Sequence, residues 1–125
     1  MTRIFLILVA VLFGLFAALY TFAPTGVVES VGIQASPSGL TDIRATYGGF
    51  QLGFCLFVIW ALGDASRYSV ALLATGLTIG CVGLVRLFGV LIDGSPETFH
   101  YIAFVFEIIL PAVSFWLYRQ ETANA

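Results

Sequence analysis

Five side chains stand where their chemistry is expensive. Arg44, Gln51, Arg86, His100 and Glu107 all lie inside long apolar runs. A charged side chain in a membrane span costs about 2.5–3.5 kcal/mol on insertion scales, so each needs a partner or a task. Together they offer guanidinium donors, an amide, an imidazole and a carboxylate. Such a set can bind a polar head, handle a proton, or lock two helices through an ion pair. Tyr47 shares the helical stripe of Arg44 and joins it. The ligand-binding positions expected from the residues are therefore Arg44, Tyr47, Gln51, Arg86, His100 and Glu107, and Glu107 is the candidate catalytic acid or base.

Other chemistries lack their residues. His100 and Glu107 share a helical face but stand about 10 Å apart along the axis, and no second histidine exists to complete a metal site. Cys55 and Cys81 fall in apolar runs without a CxxC pair and read as small core hydrophobes. There is no P-loop, GxGxxG or Ser-His-Asp order. No metal, haem or other cofactor is expected.

The elements that carry these residues follow from composition. The chain has 125 residues, 60% hydrophobic and only 10% charged, with a mean hydropathy of +1.04. A soluble domain carries about 25% charged residues, so this chain cannot cover a water-facing surface. The net charge of −2 and the absence of any basic run exclude nucleic-acid binding. A span needs about 20 mostly apolar residues. Four fit, at about 4–23, 42–62, 68–92 and 97–118, which makes residues 1–125 a single transmembrane domain. The first run is too long for the apolar core of a cleaved signal peptide. Thr25 to Thr41 is the longest connection; its Ser36-Pro37-Ser38-Gly39 cluster reads as a turn. Val27, Val28, Val31 and Ile33 are apolar enough for a short helix against the headgroups. Thr41 or Asp42 can cap the second span, Asp93-Gly94-Ser95-Pro96 closes the third, and Pro111 should kink the fourth or free the carbonyl one turn earlier. The polar tail from Arg119 reads as frayed.

The fold expected is an all-α integral membrane four-helix bundle. Arg3, Arg67 and Arg119 fall on one side of it, and the other side carries Glu29, Asp93 and Glu97 without a loop arginine. Both termini are therefore expected in the cytoplasm, in a cell inner membrane. Tyr20, Tyr68, Tyr101, Trp116 and Tyr118 near the span ends suit interfacial anchors.

Spacing groups the polar residues further. Arg86 and Glu107 come to similar depth on antiparallel neighbours, which predicts an ion pair. Arg44, Tyr47, Gly48, Gln51 and Cys55 share one helical stripe, and so do Glu97, His100, Phe104, Glu107, Pro111 and Ser114. Gly76, Gly80 and Gly83, continued by Arg86, make a small-residue face on the third span; Ala45, Gly49 and Gly53 make another on the second. All the polar residues fall in the outward half, so one outward-opening cavity is expected, with Phe50, Phe54, Phe104 and Phe106 available for apolar contacts.

The run from Gly39 to Gly49, Gly-Leu-Thr-Asp-Ile-Arg-Ala-Thr-Tyr-Gly-Gly, is the most distinctive stretch. It resembles the signature of a bacterial family of small four-span proteins described only as a domain of unknown function (number 4345), in which a D-x-R-A-x-Y-G-G segment opens the second helix. Arg86 and Glu107 resemble a later arginine and glutamate of that family. The resemblance implies the four-span fold and marks Asp42, Arg44, Tyr47, Arg86 and Glu107 as site positions; it implies no activity. Three roles fit: binding of a small amphipathic or lipid-like molecule, an accessory subunit of a larger membrane complex or a homo-oligomer, and an intramembrane enzyme on a lipid or isoprenoid-like substrate. Membrane lipids are the expected partners in each.

Overall fold

The computed structural model of the protein describes residues 1–94 and 98–123. Every regular element among them is helical. Four helical stretches are long and apolar enough to cross a membrane: Thr2–Phe22, Pro37–Leu62, Ala65–Asp93 and Thr98–Ala123. At 21 to 29 residues each, they meet the length of about 20 that a hydrocarbon core of about 30 Å demands. The protein is an all-α, multi-pass membrane protein. Its chain divides into two compact units, Met1–Asp64 and Ala65–Ala125.

In the first unit, α1 (Thr2–Phe22) buries Leu6, Val9, Ala10, Phe13 and Ala17 along one face, a helical period of three and four. Its other faces, with Ile4, Leu8, Val11 and Leu15, are equally apolar and exposed, as befits a helix whose solvent is lipid. The connection holds two short helices, α2 (Pro24–Glu29) and α3 (Pro37–Ile43). Ser36 caps α3, its hydroxyl accepting from the Gly39 N–H at 3.2 Å, and Pro37 occupies the first helical position, where a missing N–H is harmless. The Ser-Pro-Ser-Gly cluster is thus a helix start rather than a turn, and the helical stretch that carries the second span begins at Pro37. From α3 the chain passes through a π-helical turn, Arg44–Gly48, into α4 (Gly49–Leu62).

α4 runs antiparallel to α1. Phe54 packs on Phe13 with ring centroids 4.4 Å apart, and the Cys55 thiol donates to the Ala10 carbonyl at 3.2 Å. Gly48 is buried where the π turn meets the end of α1. A Cβ there would stand 2.8 Å from Thr21 Oγ1 and 3.4 Å from the Thr21 backbone nitrogen. Nothing lies within 4 Å of a Cβ built at Gly49 or Gly53, so that small-residue face is unfilled.

The second unit is the antiparallel pair α5 (Tyr68–Asp93) and α6 (Thr98–Ala123). Lipid tails are as apolar as leucine, so such helices associate through close packing and hydrogen bonds. Both are present. Gly76 sits under the Phe115 ring, Gly80 faces Pro111, and Gly83 faces Glu107. Ser114 Oγ crosses to the Leu72 carbonyl at 2.7 Å, while Thr75 returns to its own helix at Ala71. Gly94 ends α5 in the left-handed conformation, φ +65°, and its N–H closes on Val90. The Ser95-Pro96 turn and Glu97, expected to open the last span, lie outside the described residues. α6 continues to Ala123, past the expected end at Tyr118, and Thr122 Oγ1 bonds the Tyr118 carbonyl at 2.9 Å. Cys55 is buried as expected; Cys81 is exposed on α5. In lipid a small apolar thiol gains little from burial, so composition does not decide which face it takes.

The glycines give a paired test. Gly48→Ala should lower stability by about 1–3 kcal/mol, the usual cost of overpacking. Gly53→Ala, into open space, should leave it unchanged or raise it by up to about 1 kcal/mol through better helix propensity. Thermal unfolding of the two variants in one mild detergent distinguishes them.

Candidate functional site on the α5–α6 pair

α5 continues its glycine face into Arg86, and α6 places Glu107 against it. Gly83 makes the approach possible: a Cβ there would stand 3.0 Å from Glu107 Cβ and 3.4 Å from the Glu107 carbonyl oxygen. That carbonyl is unusual in its own helix. Its partner one turn later would be the N–H of residue 111, and Pro111 has none.

The two side chains meet closely. Arg86 Nε donates to both carboxylate oxygens of Glu107, at 2.9 and 2.8 Å, and Nη2 donates to Oε1 at 2.7 Å. The pair expected from equal depth is therefore present, with the side chains only 24% and 10% exposed. Arg86 Nη1 lies 3.2 Å from His100 Nδ1. Arginine only donates, so Nδ1 must accept, and the bonded imidazole carries its proton on Nε2. Phe99 completes the group: the guanidinium carbon sits 5.8 Å from its ring centroid, and the ring stands edge-on to His100.

Beside the cluster is a groove of about 240 Å³, lined by Arg86, Leu87, Val90, His100, Tyr101 and Phe104. Four of these six are apolar or aromatic. Phe104 was among the aromatics expected to serve, and Tyr101 was expected only as an anchor. Leu87, Val90 and Phe99 went unforeseen. Their signal is positional: Leu87 and Val90 follow Arg86 by one and four residues, and Phe99 precedes His100. Among the described residues no fully buried side-chain polar atom lacks a hydrogen-bond partner.

The chain matches the family described as Domain of unknown function (DUF4345) over residues 1–118. The chain belongs to that family. No curated protein and no solved structure matches it.

The remaining expected site residues of this DUF4345 protein lie in Met1–Asp64, and most are engaged there with α1. Arg44 Nε donates to the Thr21 carbonyl at 3.1 Å. The last carbonyls of a helix lack intrahelical donors and carry partial negative charge. α1 has no basic residue in its own last turn, so Arg44 supplies that cation from across the connection. Tyr47 stacks on Tyr20 at 5.3 Å between centroids and 24° between planes, and Gly48 seats against Thr21. The stripe Arg44, Tyr47, Gly48, Cys55 is thus a contact face for α1. Gln51 is half-buried and Asp42 exposed; neither has a hydrogen-bond partner among the described residues.

The ion pair predicts a sign. Removing one partner of a buried pair leaves a bare charge and costs about 3–5 kcal/mol, whereas replacing both with apolar residues is often neutral. Arg86→Met and Glu107→Met should each destabilise strongly, and the double variant should be more stable than either. A denaturation series in detergent, read as a double-mutant cycle, measures this coupling.

Proposed function

We propose that this protein holds part of a small amphipathic or lipid-like molecule in the α5–α6 groove, with its polar end toward Arg86 and His100. The observation that carries the reading is the groove itself: apolar walls beside a paired arginine and a histidine, on helices surrounded by lipid. Small-molecule sites pair an apolar lining with a few placed polar groups in the same way. At about 240 Å³ the groove falls below the roughly 300–1,000 Å³ of sites that engulf a whole drug-sized ligand. It suits one end of an amphiphile whose remainder stays in the bilayer.

A catalytic role for Glu107 draws less support. Arg86 engages both carboxylate oxygens, an arrangement suited to holding rather than proton exchange. A second reading, an accessory subunit or a homo-oligomer, is favoured by one observation: the Ala45, Gly49 and Gly53 face is exposed, with open space at both glycines. Small-residue faces of this kind let another helix approach closely.

In this reading the protein lies in a bacterial inner membrane with both termini cytoplasmic, because Arg3, Arg67 and Arg119 gather on that side. Native mass spectrometry of gently purified protein should show a retained lipid-like adduct, and copy number with it. Val90→Trp, which fills the groove, should abolish the adduct while leaving the protein folded. Persistence of the same adduct in that variant would reject the groove as its site. For orientation, Ser38→Cys in a Cys81→Ala background should react with a membrane-impermeant thiol reagent in intact spheroplasts. Reaction only after lysis reverses the topology.

A further inference from the structure

We propose that the place where Arg44 meets the end of α1 holds the phosphate of a bilayer phospholipid, on the Nη1–Nη2 edge of the guanidinium. This site lies within Met1–Asp64 and does not rest on the α5–α6 groove.

Depth is the first argument. α1 has 21 residues, which at 1.5 Å each span about 31 Å, close to the hydrocarbon thickness of about 30 Å. Its last turn therefore reaches the level where acyl chains give way to headgroups. Arg44 Nε donates to the Thr21 carbonyl at 3.1 Å, one residue before α1 ends at Phe22. That bond fixes the guanidinium at headgroup depth. Phe22 itself is 85% exposed and offers an acyl chain apolar contact at the same level.

Charge is the second. Arg44 is exposed and, among the described residues, makes no ion pair. Arg86, by contrast, is compensated by Glu107. Asp42 is the nearest carboxylate in sequence, but two residues are about 200° of helix, so it stands on the opposite side. An unpaired guanidinium thus sits at the depth where phospholipids present their phosphates.

The shape of the donor is the third. Nε is taken by Thr21, and Nη1 and Nη2 have no partner among the described residues. They form the edge of a planar fork that matches two oxygens of one phosphate. The fork is held, too. Tyr47 stacks on Tyr20, and Gly48 seats the π turn against Thr21. Binding therefore orders little that is not already ordered, which lowers its entropic cost.

Dioleoyl phosphatidylglycerol and dioleoylglycerol, which share their chains and differ in the phosphate-bearing head, test the assignment. Each is titrated into the delipidated full chain in a non-ionic detergent. Native mass spectrometry reads the fraction of protein carrying one lipid at each mole fraction in micelles. The wild type should half-saturate with phosphatidylglycerol at a mole fraction at least ten-fold below that for dioleoylglycerol. Arg44→Gln should erase that difference. Arg3→Gln, at the other end of α1, and Val90→Trp, in the groove, should keep it. If Arg44→Gln does not fold, Arg44→Lys serves: it retains the charge without the fork and should weaken phosphatidylglycerol at least three-fold. Equal binding of the two lipids by the wild type, unchanged affinity in the Arg44 variant, or an equal loss in Arg3→Gln overturns the site. Loss in Val90→Trp alone assigns the lipid to the groove and overturns this site without touching the groove reading. Displacement of phosphatidylglycerol by millimolar inorganic phosphate overturns the lipid as the source of the anion.

Discussion

The arrangement of α5 and α6 turns on one ion pair inside an apolar hairpin. A carboxylate and a guanidinium in lipid are tolerable only together, and they can be together only if the backbones are close. Gly83 provides that closeness, since a Cβ at that position would press on Glu107. The small residues one and two turns back, Gly80 against Pro111 and Gly76 under Phe115, extend the same close approach along the interface. Ser114 binds the Leu72 carbonyl further on, so a hydrogen bond across the helices anchors the other side of the glycine run. Arg86 then holds His100 and lies over Phe99, and the groove lies beside them.

The first unit solves a different problem. A span that ends in a connecting loop leaves its last carbonyls without donors. α1 carries no base of its own in that turn, and the π-helical turn after α3 delivers Arg44 to Thr21, Tyr47 to Tyr20 and Gly48 to the backbone between them. Three residues of the D-x-R-A-x-Y-G-G segment thus act at one place. A signature that invites reading as a ligand site has, in this unit, a docking role for the second span on the first.

Span number and helical class were legible because apolar length is a composition property that tertiary context does not override in lipid. The α6 stripe was legible for the same reason: His100, Phe104, Glu107, Pro111 and Ser114 share a face, and each meets α5 or the groove. The stripe through Arg44, Tyr47 and Cys55 was equally visible, but a stripe says which residues share a face and not what that face meets; here it meets α1. The π turn was not legible, since an i→i+5 pattern has no residue signature. Ser36-Pro37 was misread because serine and proline serve turns and helix starts alike, and only the Ser36–Gly39 bond separates the two. Leu87 and Val90 were missed because, among so many exposed aliphatic side chains, nothing in type or spacing distinguishes a groove wall from a lipid-facing residue.

Why the pair is there at all bears on function. Apolar residues of similar volume would pack the hairpin at no loss of stability, and often at a gain. Thr75 and Ser114 show that this pair of helices can satisfy polar side chains without charge. What the charged pair supplies, and a leucine would not, is orientation. Glu107 aligns the guanidinium through two nitrogens, and the aligned guanidinium leaves Nη1 opposite His100 Nδ1. An imidazole so held has a fixed ring orientation at the edge of the groove. The arginine and glutamate act, in that arrangement, as a frame that positions the histidine.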